Sequence, residues 1–166
     1  MSGSRLKVQF IHGLEGSPQG NKARLLARHF TASTPAMDTS DFDACVETQA
    51  REILRYAPDL LVGSSFGGAV ALELLHRGSW EGPTLLLAQA ALRLGRRTTL
   101  PAGARVWLVH GIRDEVVDIQ DSRNLAATGS PGRVRLIEVD DDHGLSATVA
   151  DGTLVRIVEE LAREVR

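Results

Sequence analysis

The stretch Leu60-Leu61-Val62-Gly63-Ser64-Ser65-Phe66-Gly67-Gly68 joins an apolar run to a Gly-x-Ser-x-Gly pentapeptide. An apolar run of this kind is typical of a buried strand, and residues 69–75 have the composition and spacing of a buried helix. The glycines on either side of Ser65 favour a tight turn, because neighbouring backbone crowds such a turn. The stretch therefore predicts a nucleophile elbow, a strand-to-helix turn that presents the Ser65 hydroxyl above a sheet.

The composition is that of an ordinary globular domain. The 166 residues include 24% charged and 43% apolar side chains, with a formal net charge of −2. These values predict a single domain over residues 1–166 and lack the basic excess that nucleic-acid binding demands. The start of the chain, Met1 to Lys7, leads into a strand rather than an apolar leader, and no apolar stretch is long enough to span a membrane. The single Cys45 has no partner for a disulfide within the chain, so we expect a cytoplasmic protein without membrane or nucleic-acid partners.

Strand and helix patterns alternate along the chain, which indicates an α/β fold. The alternation predicts a minimal, mostly parallel sheet of about five to six strands, with right-handed crossovers and helices on both faces. A weak additional strand near residues 33–37 contains Pro35, which suits an edge position or an extended connector. The other predicted strands span 6–11, 59–62, 84–88, 105–110 and 134–139, and the predicted helices span 21–29, 43–57, 66–77, 119–127 and 153–165.

A serine hydroxyl is a poor nucleophile until a base takes its proton, so the elbow predicts a histidine and an orienting carboxylate. Asp114 follows the strand at 105–110, and His143 follows the strand at 134–139. Since the carboxyl ends of parallel strands meet at one edge of a sheet, we expect both side chains to approach Ser65 there. The order serine, aspartate, histidine along the chain predicts a catalytic triad of Ser65, Asp114 and His143.

Other acidic and histidine side chains near these loops are weaker candidates. Asp118 precedes the helix predicted at 119–127 and is interpreted as its N-cap, although it is the rival carboxylate to Asp114. The run Asp140-Asp141-Asp142 is interpreted as a solvated loop, because consecutive carboxylates rarely converge on one metal ion without a defined turn. His12 and His110 each precede a glycine at a strand end and are interpreted as structural hydrogen-bonding groups.

Acyl transfer to a serine also needs hydrogen-bond donors for the oxyanion of the tetrahedral intermediate. The residue after the nucleophile supplies one donor, which predicts a role for the Phe66 amide. The loop after the first strand supplies the second, and there the Leu14 amide is the best candidate because Gly13 lets the backbone approach the substrate.

These motifs together resemble the α/β-hydrolase superfamily, in particular its small lidless single-domain bacterial serine esterases. The resemblance covers nearly the whole chain, although Asp118 stands where the family commonly has proline and the two antiparallel strands that open larger members are expected to be missing. His12-Gly13-Leu14-Glu15-Gly16-Ser17-Pro18 is similar to the family's oxyanion loop, residues 63–68 to its elbow, residues 110–117 to its acid loop, and Asp142-His143-Gly144 to its histidine turn.

The resemblance implies a serine hydrolase that cleaves small soluble carboxylic esters or thioesters through an acyl-enzyme, without a metal or organic cofactor. Only 16 residues, 89–104, stand where larger relatives insert a lid, so we expect an open and shallow site. Arg93, Arg96 and Arg97 in this segment could attract an acidic group on the substrate, but clustered arginines more often form a solvated face. Two alternatives stay open: a catalytically idle interaction protein with this fold, and an acyltransferase that uses the same triad.

Overall fold

The computed structural model describes residues 5–165; the predicted lead-in at residues 1–4 lies outside the described residues. Its centre is one six-stranded, entirely parallel sheet in the order β2-β1-β3-β4-β5-β6. This architecture confirms the predicted α/β-hydrolase fold class. The strands are β1 (Lys7–Ile11), β2 (Thr31–Ser33), β3 (Leu60–Ser64), β4 (Thr84–Leu87), β5 (Val106–Gly111) and β6 (Val134–Val139).

Helices cover both faces of the sheet, because each helix has one apolar face to bury. The apolar residues of α1 and α6 pack on one face, and those of α2, α3 and α4 pack on the other. Strands β3, β4 and β5 are buried along their whole length, as expected for strands covered on both sides. The helices are α1 (Asn21–His29), α2 (Phe42–Tyr56), α3 (Phe66–Arg77), α4 (Ile119–Ala127), α5 (Ser146–Ala150) and α6 (Thr153–Glu164).

Two short elements differ from the sequence expectation. The edge strand β2 spans Thr31–Ser33 instead of residues 33–37, and it pairs with β1 through the Thr31 amide and the Leu6 carbonyl. The strand ends before Pro35, which has no amide hydrogen to donate. The sequence analysis missed α5, since a helix of five residues is too short to show helical periodicity.

The long loops at the carboxyl ends of β1, β4, β5 and β6 lie at one edge of the sheet. The connection between β4 and β5, residues 88–105, consists of turns and extended chain and contains no helix. It therefore leaves this edge without a lid. Within residues 5–165, no helix is both long enough and apolar enough to cross a membrane.

Candidate active site

Ser65 lies between β3 and α3 in a strained backbone conformation, with φ 55° and ψ −113°. Non-glycine residues rarely adopt such angles, and they persist only where surrounding contacts hold them. The Ser65 amide donates to the Leu87 carbonyl at 2.8 Å, and its own carbonyl accepts from the Ala90 amide at 3.1 Å. These bonds to the end of β4 hold the predicted elbow in place.

The glycines of the elbow are required by close approach of backbone to backbone. A Cβ atom at Gly63 would overlap the Gly67 carbonyl, and a Cβ atom at Gly67 would overlap the Ile11 carbonyl at the end of β1. Since real Cβ atoms cannot occupy these positions, a side chain at either residue would push α3 away from the sheet. The pentapeptide thus brings the start of α3 directly against two strands.

Ser65, His143 and Asp114 form a continuous hydrogen-bonded chain. The Ser65 Oγ lies 3.0 Å from His143 Nε2, and His143 Nδ1 lies 2.8 Å from Asp114 Oδ2. A carboxylate only accepts hydrogen bonds, so Nδ1 carries the proton and Nε2 accepts from the serine hydroxyl. The side chain of Asp114 is fully buried, whereas that of His143 is 24% exposed. The three residues predicted from the sequence thus lie together in the structure.

The Asp114 carboxylate is held ionised by donors from its own loop. Burial opposes its ionisation, but hydrogen bonds from the Val117 amide, from His143 and from the Val116 amide outweigh burial and lower the pKa of Asp114. Both amides donate to Oδ1 at 2.8 Å, which leaves Oδ2 for His143. The turn after β5 therefore aims one carboxylate oxygen at the imidazole.

The acidic run after β6 departs at one residue from the solvated loop that the sequence suggested. Asp141 is 3% exposed and accepts hydrogen bonds from the Thr148 amide, the Thr148 hydroxyl and the Asp142 amide. These bonds outweigh burial and lower its pKa. Asp140 and Asp142 match the expectation, since both are exposed and the Asp140 side chain, 81% exposed, pairs with Arg113. Among residues 5–165, no cluster of histidine, cysteine and acidic side chains is arranged to hold a metal ion.

Two further contacts fix the turn that carries His143. Lys22 of α1 donates from Nζ to the Gly144 carbonyl at 2.8 Å. Burial lowers the pKa of Lys22, while Asp141 and Asp142 raise it in part. A Cβ atom at Gly111 would overlap the Asp141 carbonyl, so the end of β5 and the histidine turn are in backbone contact.

The loop after β1 approaches the serine closely. A hydrogen bond from the Gly16 amide to the Gly13 carbonyl closes a turn with Leu14 and Glu15 at its centre. A Cβ atom at Gly13 would lie 3.4 Å from the Ser65 Cβ, so the backbone before Leu14 is within contact distance of Ser65. In a turn of this kind the amides of the central residues point outward and stay available to other acceptors. The Leu14 and Phe66 amides therefore remain the predicted oxyanion donors.

The remaining candidates have structural contacts. His12 is buried, bonded through Nδ1 to the Gly13 carbonyl and through Nε2 to the Met37 amide. The Asp118 side chain accepts from the Gln120 amide and caps α4, as the sequence predicted. His110 is also buried, but its Nε2 lies 3.1 Å from Asp114 Oδ2. The sequence analysis missed this contact, because it depends on how the turn after β5 folds back on the strand.

The arginines of the β4–β5 connection make contacts with the protein itself. Arg97 donates from Nε to Glu73 of α3 at 3.0 Å, and the Arg96 guanidinium lies 3.8 Å from the centre of the Phe42 ring. Arg93 is exposed. Two of the three guanidinium groups thus fasten the connection to α2 and α3.

Most of the large exposed apolar side chains in residues 5–165 belong to loops at the edge of the sheet that carries the candidate site. Leu54 of α2 and Val165 lie elsewhere, and the others follow the carboxyl ends of β1, β4 and β5. We call this set the apolar rim, since exposed apolar residues grouped at a site indicate binding of an apolar group. Its members are Leu14, Leu92, Leu94, Ile112 and Val116.

No protein-family model and no curated protein matches the sequence. Solved structures do match: a protein from Xanthomonas campestris assigned to the alpha/beta superfamily of hydrolases is 25% identical, with a TM-score of 0.70 over 97% of this chain and 99% of the other. Alpha/beta hydrolase domain-containing protein 10 from mouse is 18% identical, with a TM-score of 0.75 over 100% and 93%. A thermophilic esterase from Thermogutta terrifontis, with butyrate bound, is 17% identical, with a TM-score of 0.73 over 98% and 84%. The chain therefore has the fold of the α/β-hydrolase superfamily, which confirms the resemblance found in its sequence.

Proposed function

We propose that this protein is a serine hydrolase that cleaves small carboxylic esters or thioesters through an acyl-enzyme. The observation that carries the proposal is the chain from the Ser65 hydroxyl through His143 to Asp114, with heavy-atom separations of 3.0 and 2.8 Å. Both separations are within the range for proton transfer between a nucleophile and its base. The fold shared with an esterase that binds butyrate supports the same class of reaction.

In the proposed reaction Ser65 Oγ attacks the carbonyl carbon of the ester while His143 Nε2 takes its proton. Asp114 holds the imidazole in the Nδ1–H tautomer and stabilises the imidazolium that forms. The Phe66 and Leu14 amides bind the oxyanion of the tetrahedral intermediate. His143 then protonates the leaving alcohol or thiol. A water molecule, deprotonated by His143, hydrolyses the acyl-enzyme and restores Ser65.

The surroundings of the site support an uncharged, partly apolar substrate. The apolar rim offers exposed leucine, isoleucine and valine side chains, whereas Arg96 and Arg97 are engaged by Phe42 and Glu73. Because the β4–β5 connection forms no lid, a long acyl chain would not be enclosed. We therefore expect short acyl chains to be preferred over long ones and neutral esters over acidic ones.

Labelling with a fluorophosphonate probe tests the proposal directly, since the probe reacts only with an activated serine. We expect a single adduct on Ser65 by mass spectrometry, and no adduct in Ser65→Ala or His143→Ala. Ser64→Ala removes the neighbouring hydroxyl and should keep the label. Each triad variant should also lower kcat for a short-chain ester by several powers of ten, roughly 4 to 8 kcal/mol in the barrier.

Labelling together with analysis of the reaction products separates the alternatives. A folded native protein that takes no label would contradict the proposal and favour the idle interaction protein. If the label is present but products with an added alcohol or amine are mainly new esters or amides, the triad serves an acyltransferase. We expect the free acid to be the main product.

A further inference from the structure

A buried polar cluster lies behind Asp114 and has no part in the reaction proposed above. It consists of His110 at the end of β5, Ser122 of α4 and Gln89 in the loop after β4. His110 and Ser122 are 0% exposed and Gln89 is 1% exposed. Burying three hydrogen-bonding side chains is costly unless each has a hydrogen-bond partner. We therefore expect these side chains to hydrogen-bond to one another and to nearby backbone.

The two ends of this cluster fix the direction of its outer hydrogen bonds. The Ala91 amide can only donate, and it donates to Gln89 Oε1 at 3.0 Å. The Gln89 amide nitrogen therefore donates to Ser122 Oγ at 3.1 Å, and Ser122 Oγ is hydrogen-bonded to His110 Nδ1 at 2.7 Å. At the other end, the Val117 carbonyl can only accept, and it lies 2.9 Å from His110 Nε2. His110 therefore carries a proton on Nε2.

This imidazole contacts the acid loop at two places. Besides the bond to the Val117 carbonyl, His110 Nε2 lies 3.1 Å from Asp114 Oδ2, the oxygen that accepts from His143. The Val117 amide in turn donates to Asp114 Oδ1. His110 therefore holds Val117, which donates to Asp114 Oδ1, and it contacts Asp114 Oδ2 directly.

The charged groups around His110 are few. Asp114 faces it from the acid loop, and Glu138 of β6 is its register partner in the sheet. The Glu138 carboxylate is directed to Arg123 of α4 by two hydrogen bonds at 2.8 and 2.9 Å. Asp114 is thus the one carboxylate in contact with the ring among the described residues.

We propose that His110, oriented by Ser122 and Gln89, is a positioning residue that holds the acid loop so that Asp114 Oδ2 faces His143. The proposal rests on the function proposed above. The Nε2–H donor behind Asp114 restricts the orientation of the carboxylate that stabilises the His143 imidazolium in the proposed reaction. A merely structural role would require His110 only to fill its buried position.

Three variants distinguish positioning from packing. His110→Leu removes both ring nitrogens, whereas His110→Gln keeps an acceptor for Ser122 and a donor for the Val117 carbonyl. The control, Thr84→Val, removes a buried hydroxyl that accepts from Trp80 Nε1 at the opposite end of the sheet. We expect His110→Leu to lower kcat by about tenfold to a hundredfold with little change in KM. His110→Gln should recover most of the loss, and Thr84→Val should keep the native kcat while lowering stability.

Proton NMR of the His143 Nδ1–H gives a readout that does not depend on ester hydrolysis. A proton shared between imidazole and carboxylate resonates far downfield, and we expect this signal in the native protein, His110→Gln and Thr84→Val. It should broaden or shift in His110→Leu. If that variant does not fold, Ser122→Ala keeps the ring but removes its hydrogen-bond partner at Nδ1, and it should weaken the same signal and lower kcat by a smaller factor.

The outcomes are decisive for each proposal separately. A folded His110→Leu or Ser122→Ala protein with the native signal and native kcat overturns the positioning role. A native protein without fluorophosphonate labelling, whose His143 signal still depends on His110, overturns the hydrolase and leaves the positioning of Asp114 intact.

Discussion

The backbone at Ser65, the proposed nucleophile, stores strain in the turn between β3 and α3. With φ 55° and ψ −113°, it occupies a region that glycine enters far more easily than any residue with a Cβ atom. Bonds from the Ser65 amide to Leu87 and from the Ala90 amide to the Ser65 carbonyl maintain it. The hydroxyl is therefore held above the sheet at a cost that the rest of the fold offsets.

We expect Ser65→Gly to be more stable than Ser65→Ala by about 1 kcal/mol, because glycine removes the strain that alanine retains. Both variants should be inactive, so the difference is purely structural. Urea unfolding followed by circular dichroism measures it. The same pair of changes at Ser64, which lies in β3, is the control and should have the opposite sign. A glycine variant no more stable than the alanine variant at Ser65 would argue against stored strain.

Buried carboxylates make the fold sensitive to acid. The pKa values of Asp114 and Asp141 are both lowered, because hydrogen bonds to the ionised carboxylates outweigh burial. A carboxyl group with a lowered pKa in the folded state binds protons more readily when the chain is unfolded. Its stabilisation is therefore complete above the unfolded value, about 4, and is lost as the pH falls through the folded value.

Asp141→Asn should lower the free energy of unfolding at pH 7 by about 1–3 kcal/mol, since an amide cannot accept all the bonds from Thr148 and Asp142. It should also reduce the loss of stability below about pH 4. Urea unfolding at a series of pH values measures both effects. Asp140→Asn removes an exposed neighbouring carboxylate and is the matched control. Equal acid sensitivity in the native and Asp141→Asn proteins would contradict the assignment.

At the scale of elements, one polar pair joins β1 to α2 inside the apolar core. Gln9 and Gln49 are both 0% exposed, and Gln9 Nε2 donates to Gln49 Oε1 at 2.8 Å. It also lies 3.2 Å from the Gln49 carbonyl. A single pair of amides among apolar neighbours favours one alignment of helix on strand, because other alignments leave both groups unpaired.

Changing both members of this pair should cost less stability than the two single changes add up to. Gln9→Leu or Gln49→Leu leaves a buried amide without its partner and should lower stability by about 1–3 kcal/mol. The double variant should lose less than the sum of the single variants. Thermal and urea unfolding of the four proteins gives the coupling energy. Strictly additive losses would show that the two amides act independently.

Element positions were predictable where the periodicity was long, and less so where it was short. The helices α1, α3 and α4 and the strand β6 have the predicted bounds, since each combines a clear apolar pattern with a turn or cap at its ends. The edge strand β2 and the helix α5 were shifted or missed. Both are short and are held by tertiary contacts, such as those of Asp141 with Thr148, that local sequence does not encode.

At the scale of the whole molecule, parallel strands bring distant residues to one edge. Ser65, Asp114 and His143 follow β3, β5 and β6, so their meeting could be inferred from chain order and strand pattern alone. The contact of His110 with Asp114 could not, because it depends on a turn that folds back beneath the strand end. The burial of Asp141 could not be predicted either, because its partner, Thr148, belongs to the short helix α5, which the sequence pattern did not show.

The fastened β4–β5 connection has a kinetic consequence for substrates that form droplets or micelles. Three contacts hold this segment to the helices: Arg97 bonds to Glu73 of α3, Arg96 stacks on Phe42 of α2, and the Leu100 amide bonds to Thr128 at the end of α4. We therefore expect the segment not to move as a cover over the candidate site. Contact with an oil–water interface should therefore not increase the rate by displacing a lid. If the protein is the proposed esterase, its rate should follow a simple hyperbola in dissolved ester and level off, without a jump, as ester is added beyond its solubility limit. Initial rates for a short-chain ester measured across that limit, with and without detergent, test this expectation; a sharp rise at the limit would reveal a movable cover.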